Sequence, residues 1–371
     1  MVGPPSRARG RWRAPQPPRR PTGRRRLSWI VALGLALAAC GDAAGPDPGS
    51  VDRPADIPFS SALLLSHIAV LADDSLCGRA AGTPYERRAA LYVRDQFVGG
   101  GLEPGAPDFL DVFALGPVPT RVDGTTPVAC ADSDVTGSQN VLGVLPGAGA
   151  LATEWVVLGA HYDHVGWEVL GGEVAVFNGA DDNASGTAVL IEAARLLRRW
   201  VVAHEALAGN RRSILFAAFG AEEAGLVGSS SYASGVGVPM DSVVAMVNLD
   251  MVGLLRDNTL TVQGSLTAPE WPALLAAAND DSLQLLYTDD FLSRSDQYPF
   301  IQRGIPAVHL FTGLHPDYHT PNDDVSLVNP VGLATVGEFA LAIVWELATR
   351  PARLGEGATA IRGLARAGGG S

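Results

Sequence analysis

The sequence of 371 residues contains no lysine, so all 27 of its basic residues are arginine, and it contains only 3 cysteines. Nine of the arginines lie before residue 27, and no acidic residue occurs before Asp42. The part of the chain after residue 39 therefore carries 18 arginines against 39 acids, a formal charge of −21. A chain this acidic repels polyanions, which argues against nucleic acid as a partner.

The sequence also lacks internal repeats, and its composition is that of a globular protein. Hydrophobic residues make up 47 % of the chain and charged residues 18 %, which excludes a disordered or collagen-like chain. Residues 58–350 are long enough for one large α/β domain. Gly and Ala clusters follow Pro351, so residues 351–371 are expected to form a loose tail.

The first 39 residues are typical of an export signal. An Arg- and Pro-rich stretch precedes the apolar run 27–39, which is too short to span a bilayer comfortably and ends in small residues before Cys40. This pattern resembles the bacterial lipoprotein signal, in which Cys40 becomes the lipidated first residue; an ordinary signal peptide with an incidental Cys40 is the alternative. Residues 40–57 are then a flexible tether. We expect a lipid-anchored protein of the bacterial cell envelope, on the periplasmic or outer-surface side.

Two cysteines remain once Cys40 is assigned to the signal. An exported compartment permits disulfides, so Cys77 and Cys130 are predicted to pair. Two buried free thiols are the alternative, because spacing alone does not show that the two residues are close.

Hydrophobic patterns predict strands that alternate with helices. The predicted strands are 140–145, 155–159, 213–219, 243–249 and 307–311. The predicted helices begin at a capping box at 83–86, at Ser185, at a capping box at 267–270 and at Asn329. Alternation of this kind predicts an α/β three-layer sandwich, with a mostly parallel central sheet and helices on both faces.

Polar residues follow most of these strands, and in an open α/β sheet ligands bind beyond the carboxyl ends of the strands. These residues are His161-Tyr162-Asp163-His164, Asp181-Asp182-Asn183, Glu222-Glu223, Asp250 and His319. Each group alone has an ordinary explanation as a surface loop, a helix cap or a solvated pair. Together, imidazoles and carboxylates without cysteine are the donors of a catalytic zinc site. Crowded carboxylates also require a cation, and two zinc ions would balance their charge.

This set of residues resembles the dinuclear zinc aminopeptidases typified by the secreted bacterial leucyl aminopeptidases. That family includes plasma glutamate carboxypeptidase and the glutamyl-peptide cyclotransferases. The resemblance covers nearly the whole predicted domain. Besides the site, it is carried by Leu71-Ala72-Asp73-Asp74-Ser75-Leu76, Gly78-Arg79, Gly82-Thr83, Ser295-Asp296-Gln297-Tyr298-Pro299-Phe300 and Gly304-Ile305-Pro306-Ala307.

The resemblance implies a role for each site residue. His161 and Asp250 bind one zinc, Glu223 and His319 bind the other, and Asp182 bridges both. The bond from Asp182 to Asn183 is expected to be cis. The resemblance further implies Glu222 as general base, Asp163 as the carboxylate that fixes the tautomer of His161, and Asp323, or its rival Asp324, in the same role for His319. Tyr298, Asp296 and His315 are candidate substrate contacts, although Tyr298 could equally pack beside its neighbours. His164 is expected to be structural.

The predicted activity is the removal of N-terminal residues from peptides by a zinc-activated water. One alternative is a glutaminyl-peptide cyclotransferase, whose relatives work with one zinc. Another is a carboxypeptidase or dipeptidase, which needs a basic group, with Arg294 and Arg303 the candidates. A non-catalytic binding module is disfavoured because every expected position is filled.

Overall fold

The computed structural model of the protein describes residues 53–116, 130, 137–171, 173–235 and 240–355. The predicted signal segment, Cys40 and most of the predicted tether and tail lie outside the described residues. Within these ranges the strands are β1 Glu103–Pro104, β2 Leu110–Ala114, β3 Gly137–Leu145, β4 Trp155–His161, β5 Trp167–Leu170, β6 Glu173–Val176, β7 Ser213–Phe219, β8 Val243–Leu249, β9 Thr259–Gln263, β10 Gln284–Tyr287 and β11 Ala307–Phe311. The α-helices of the same ranges are α1 Ser61–Leu71, α2 Pro84–Gly99, α3 Gly186–Ala203, α4 Val227–Ala233, α5 Trp271–Ala278, α6 Gln297–Gln302 and α7 Pro330–Thr349.

The central sheet is mixed, and its middle strands are parallel. Within the described chain, nine strands join in the order β1-β3-β7-β4-β8-β11-β9-β10, with β2 also paired to β3. Strands β7, β4, β8 and β11 run parallel. Strands β3 and β9 flank them in the antiparallel sense. The carboxyl ends of the parallel strands therefore meet at one edge of the sheet, where α/β proteins bind their ligands.

Alternate side chains of each central strand enter two apolar cores. Along β4, Val156 and Leu158 pack in the larger core, whereas Val157 packs in a smaller core on the opposite face. Helices α1, α2, α3, α5 and α7 cover the larger core, and α4 and α6 cover the smaller one. Because helices cover both faces, the strands are continuously apolar. The predicted α/β sandwich is confirmed.

The long buried elements are the ones that the sequence predicts. All five predicted strands and all four predicted helices are present, with ends displaced by a few residues. The sequence missed five short elements: β1, β2, β9, β10 and the β5–β6 hairpin. Of these, β9 lies between β11 and β10, and the hairpin forms a sheet of its own. The capping box predicted at 267–270 is wrong, because Thr267 Oγ1 accepts a hydrogen bond from Trp271 Nε1 at 3.0 Å and α5 begins at Trp271.

Helix α7 is, in the described part of the chain, the one helix long and apolar enough to cross a membrane by length and composition. Most of it is buried against α1, α3 and α5. Its apolar surface is therefore the inner surface of the larger core, as expected of a core helix in a folded domain.

A disulfide joins Cys77 to Cys130, with Cα atoms 5.8 Å apart, so the predicted pairing is confirmed. The bonded cysteines pack with Tyr85 and with Trp167 and Val176 of the β5–β6 hairpin. The disulfide thus joins the segment before α2 to Cys130, and the hairpin that follows β4 packs against this bond.

Candidate active site

The parallel strands deliver ionisable side chains to one edge of the sheet. His161 is the last residue of β4, Asp250 directly follows β8, and Glu222 and Glu223 lie in the turn after β7. The loop after β11 brings in His319. The structure thus brings together all the residues that the sequence predicts as metal ligands, because parallel strands end at the same edge.

Asp182 lies between two groups of donor atoms. Its Oδ1 lies 3.2 Å from His161 Nε2, which is also 3.2 Å from Asp250 Oδ1. Its Oδ2 lies 3.0 Å from His319 Nε2, which is also 3.0 Å from Glu223 Oε1. The two oxygens of one carboxylate therefore face two different imidazoles, as a bridging ligand requires.

Asn183 fixes the segment that carries Asp182. Its side-chain amide donates to the carbonyl of Leu249 at 2.9 Å, and its Oδ1 accepts the N–H groups of Gly186 and Met251. The peptide bond from Asp182 to Asn183 is cis, as the resemblance implies. These bonds tie the start of α3 to the end of β8, so Asp182 and the strand end hold one position relative to each other.

Two buried carboxylates act on the main chain of the site. Asp163 accepts the N–H groups of Glu222 at 3.0 Å and Glu223 at 3.2 Å. Its carboxylate was predicted to hold His161, but His161 Nδ1 is closer to the Asp163 carbonyl, at 3.2 Å, than to the carboxylate Oδ1, at 3.7 Å. The backbone of Asp163 therefore orients the imidazole, and its side chain orients the Glu222-Glu223 turn.

Asp323 has a similar role on the other side of the site. It accepts the N–H groups of Asp181 at 2.8 Å and Asp182 at 3.0 Å, rather than the predicted bond from His319. Its rival Asp324 caps a short helix through the N–H of Val325. Such bonds to backbone donors stabilise the charged form of Asp323 while its burial opposes that charge.

Arg79 is a buried cation beneath this cluster, and sequence analysis assigns no role to it. It is fully buried and donates to the carbonyls of Leu71, Asn178 at 2.6 Å and Gly179 at 3.1 Å, and to that of Tyr162 at 2.8 Å. Burial lowers its pKa to about 10, and nearby carboxylates, with Asp163 foremost, oppose that shift. No periodic pattern in the sequence marks such a residue, because its partners are main-chain carbonyls distant in sequence.

The environment raises the pKa of both Glu222 and His319, but for different reasons. Burial raises the pKa of Glu222 well above its usual value, and the neighbouring Glu223 adds to this while His161 opposes it. Burial lowers the pKa of His319, but its bonds to Asp182 and Glu223 outweigh burial and raise it to about 10. A carboxyl group with a raised pKa next to metal-binding residues is suited to take up and return a proton.

The predicted substrate contacts occupy three different environments. Tyr298 is half-buried on α6. Asp296 is fully buried, and burial raises its pKa to about 7, so it lies beneath the site and not on a substrate surface. His315 is buried with Nε2 at 3.4 Å from Asp181 Oδ2. Arg294 and Arg303, the candidates for binding a substrate carboxylate, are both exposed.

His164 belongs to the donor cluster, although the sequence predicts a structural role for it. Its Nδ1 lies 3.0 Å from Glu223 Oε1 and 3.6 Å from Asp182 Oδ2. The signal in the sequence was the second histidine of His161-Tyr162-Asp163-His164, directly after a buried strand. Side chains two residues apart on a continuing strand would share a face, but His164 is three residues beyond His161, so only the course of the loop places both in one site.

The donor atoms form two groups that fit metal ions. In the described residues, one atom from each of His164, Asp182, Glu223 and His319 lies within 4.8 Å of the others, and so do atoms of His161, Glu222 and Asp250. Imidazole nitrogen and carboxylate oxygen are the donors that bind Zn²⁺ at catalytic sites. The residues present therefore fit zinc, and the ion would offset the mutual repulsion of the carboxylates.

The fold and this site are those of a metallopeptidase. The sequence model of peptidase family M28 matches residues 140–344, more than half of the chain. The chain belongs to this family.

Individual relatives agree with this assignment. Aminopeptidase YwaD of Bacillus subtilis (strain 168) is 32 % identical over 226 residues, which are 56 % of this chain and 44 % of that protein. The chain thus spans about half the length of the curated relatives it matches.

Solved structures that share the fold include an aminopeptidase and a glutaminyl cyclase. BSAP, a zinc aminopeptidase from Bacillus subtilis, superposes with a TM-score of 0.61 at 21 % identity, over 80 % of this chain and 97 % of that one. A glutaminyl cyclase of Porphyromonas gingivalis superposes with a TM-score of 0.57 at 20 % identity, over 78 % and 98 %. One fold therefore carries two activities among these neighbours, so the activity has to be argued from the site.

Proposed function

We propose that this chain is a zinc-dependent aminopeptidase that binds two zinc ions and removes N-terminal residues from peptides. The observation that carries the proposal is the position of Asp182, whose Oδ1 and Oδ2 face His161 and His319, respectively. His161 and Asp250 would hold one ion with Asp182, and Glu223 and His319 would hold the other. When bound, a zinc pair would polarise the peptide carbonyl of the substrate and lower the pKa of a bound water, so that this water could attack the carbonyl near neutral pH.

The residues around the metal positions supply the proton transfers. Glu222 lies in one donor group with His161 and Asp250. Its raised pKa suits a carboxylate that takes a proton from the water as this water attacks the peptide carbonyl. The same group then returns the proton to the leaving amine. Asp163 orients Glu222 by accepting its N–H, so the proton acceptor is held in place before substrate binds.

Acidic side chains also account for the proposed preference for a free N-terminus. The second zinc or the acidic side chains can hold the free α-amine of the substrate, because a zinc ion binds a neutral amine and carboxylates attract an α-ammonium group. A substrate carboxylate entering the same cluster would be repelled by these acidic side chains. This favours the aminopeptidase over the carboxypeptidase or dipeptidase.

The decisive test combines metal content and product identity on one sample of the chain from Val51 onward. Elemental analysis counts zinc per chain, and a panel of aminoacyl chromogenic amides measures release, with a chelator-treated aliquot as control. Two zinc ions with chelator-sensitive release support the proposal. One zinc ion, no release, and conversion of N-terminal Gln to pyroglutamate would assign the chain to the cyclases instead.

We also propose that the chain is exported and anchored to a bacterial membrane by a lipid on Cys40. The signal-like first 39 residues support this, and so does the Cys77–Cys130 disulfide, because disulfides persist in oxidising compartments. Radiolabelled fatty acid should label the full-length chain in a bacterial host, and Cys40→Ser should abolish the label. Equal labelling of the variant would contradict the lipid anchor.

A further inference from the structure

We infer that His164 is a fourth protein donor at the metal position formed by Asp182, Glu223 and His319. This inference rests on the proposed function, since it concerns one of the two proposed metal positions. The family resemblance assigns no role to His164, so the argument depends on the geometry around its imidazole alone.

Four of the six donor–donor distances among these residues are close to those of a tetrahedral site. With metal–ligand distances of about 2.0–2.2 Å, the donors of a tetrahedral zinc lie roughly 3.4 Å apart. His164 Nδ1 is 3.0 Å from Glu223 Oε1 and 3.6 Å from Asp182 Oδ2. His319 Nε2 is 3.0 Å from each of the same two oxygens. The two imidazoles therefore approach one pair of carboxylate oxygens from two directions, as donors around a common centre do.

The fold places the imidazole of His164 there at some cost. Its side chain is fully buried, and its Nε2 has no hydrogen-bond partner among the residues that the structure describes. Among the same described residues, the polar contacts of the His164 side chain are those of Nδ1 with Asp182 and Glu223. An unsatisfied Nε2 is unfavourable in a buried site, and the nitrogen with polar partners is Nδ1, the atom that we assign as the donor.

The surrounding backbone is shaped to hold the ring. The N–H of His164 donates to the carbonyl of Arg79 at 3.3 Å, which aligns the loop with the segment after α1. Gly179 packs against the ring, since a Cβ at that position would lie 2.6 Å from His164 Cδ2. Gly179 also has a φ of +57°, which favours glycine. A side chain at residue 179 would therefore clash with the ring, so glycine at this position leaves room for the imidazole.

A fourth donor makes the two metal positions unequal. Four protein donors close a tetrahedral zinc site, whereas a catalytic zinc keeps a position for water or substrate. The position beside Glu222, formed by His161, Asp250 and the shared Asp182, lacks a second imidazole in the described structure. The inference therefore assigns the more open coordination to the position next to the general base and the tighter retention of metal to the other.

Cobalt substitution tests the inference through coordination and not through activity. The metal-free protein is titrated with Co²⁺, whose visible absorption is intense in four-coordinate sites and weak in six-coordinate ones. His164→Gln and His164→Ala are compared with His204→Gln, whose ring stacks on Trp200 at the far end of α3. Melting of each metal-free protein shows whether it is folded.

The expected result is loss of one intense cobalt spectrum and a fall of more than about 100-fold in affinity at one position in both His164 variants. Outer partners of metal ligands cost about 10–100-fold when removed, so a larger fall indicates a ligand. His204→Gln should match the wild type. A cobalt spectrum unchanged in folded His164→Gln or His164→Ala overturns the inference, whatever the affinity.

X-ray absorption on the zinc-loaded wild type decides the point without any variant. Imidazole rings give a distinct outer-shell signal, so three histidines shared by two zinc ions are distinguishable from two. A count of two overturns the inference. Failure of the proposed function is separate: a wild type that binds two ions but releases no amino acid would contradict the aminopeptidase proposal and leave the ligand count as measured.

Discussion

Two clusters of buried ionisable side chains lie along α3, one near its middle and one at its start, and they differ in charge balance. Near the middle of the helix, Glu192 pairs with Arg195 at 2.6 Å and with His67 at 3.2 Å, and His67 also bonds to the hydroxyl of Tyr92 at 2.7 Å. One acid there meets one permanent cation and one imidazole. This cluster, which we call the Glu192 cluster, satisfies its own charge.

The cluster at the start of α3 has a large excess of acid. Its buried carboxylates are Asp163, Asp181, Asp182, Glu222, Asp250, Asp296 and Asp323. The basic side chains nearby are the histidines of the site and Arg79, and the guanidinium of Arg79 donates its hydrogen bonds to main-chain carbonyls. Buried charge of one sign is costly unless it is paired or binds metal. The comparison teaches that charge balance, more than burial, separates the structural cluster from the metal-binding one.

The largest expected effect is on catalysis at Glu222. Glu222→Gln removes the proton acceptor but keeps the shape, so hydrolysis should fall on the order of 10²–10⁴-fold while both metals stay bound. The measurement is the rate of aminoacyl amide release together with zinc content. Glu192→Gln is the matched control, and its rate should equal that of the wild type. Full activity in Glu222→Gln would refute the role of this residue.

The next effect concerns the metal-dependent stability that the acid excess predicts. Zinc at 100 times its Kd stabilises a protein by about 2.7 kcal/mol per site, because it binds the folded state. Asp182→Ala removes the shared ligand and should lose most of this stabilisation. Denaturant unfolding with and without zinc measures it. An unchanged zinc-dependent gain in that variant would show that Asp182 does not bridge.

The Glu192 cluster should show a smaller effect that is independent of metal. Glu192→Gln weakens the bonds to Arg195 and His67 inside a buried site, and we expect a loss of about 1–3 kcal/mol in the free energy of unfolding. The loss should be the same with zinc and with chelator. A loss that depends on zinc would mean that the two clusters are coupled, contrary to the comparison.

The smallest expected effect is a pH dependence of the difference in stability between the wild type and Glu192→Gln. Burial raises the pKa of Glu192, but its hydrogen bonds with His67 and Arg195 outweigh burial, so the pKa lies below the usual 4.5. A depressed pKa contributes stability that is present above pH 4.5 and is lost as the pH falls through the folded-state value. The stability gap between wild type and Glu192→Gln should therefore narrow as the pH falls below 4.5. A gap that widens in acid would contradict this sign.

Much of the fold and most of the donor set follow from the sequence by itself. Strands such as β7 and β8 are continuous apolar runs because helices cover both faces, and such runs are visible without coordinates. The polar residues directly after these strands are predictable as members of one site, because parallel strands end at the same edge of the sheet. Glu222, Glu223 and Asp250 are in this group.

Only the tertiary structure decided how these residues are held and which others join them. Arg79, Asp163 and Asp323 bind backbone groups that are distant in sequence, so no local pattern predicts these contacts, although the family resemblance marks Asp163 and Asp323 as site residues. His164 enters the donor cluster because its loop bends against Gly179. Local periodicity records which face of an element is buried, whereas these contacts depend on where loops meet, and that is fixed by the packing of the whole domain.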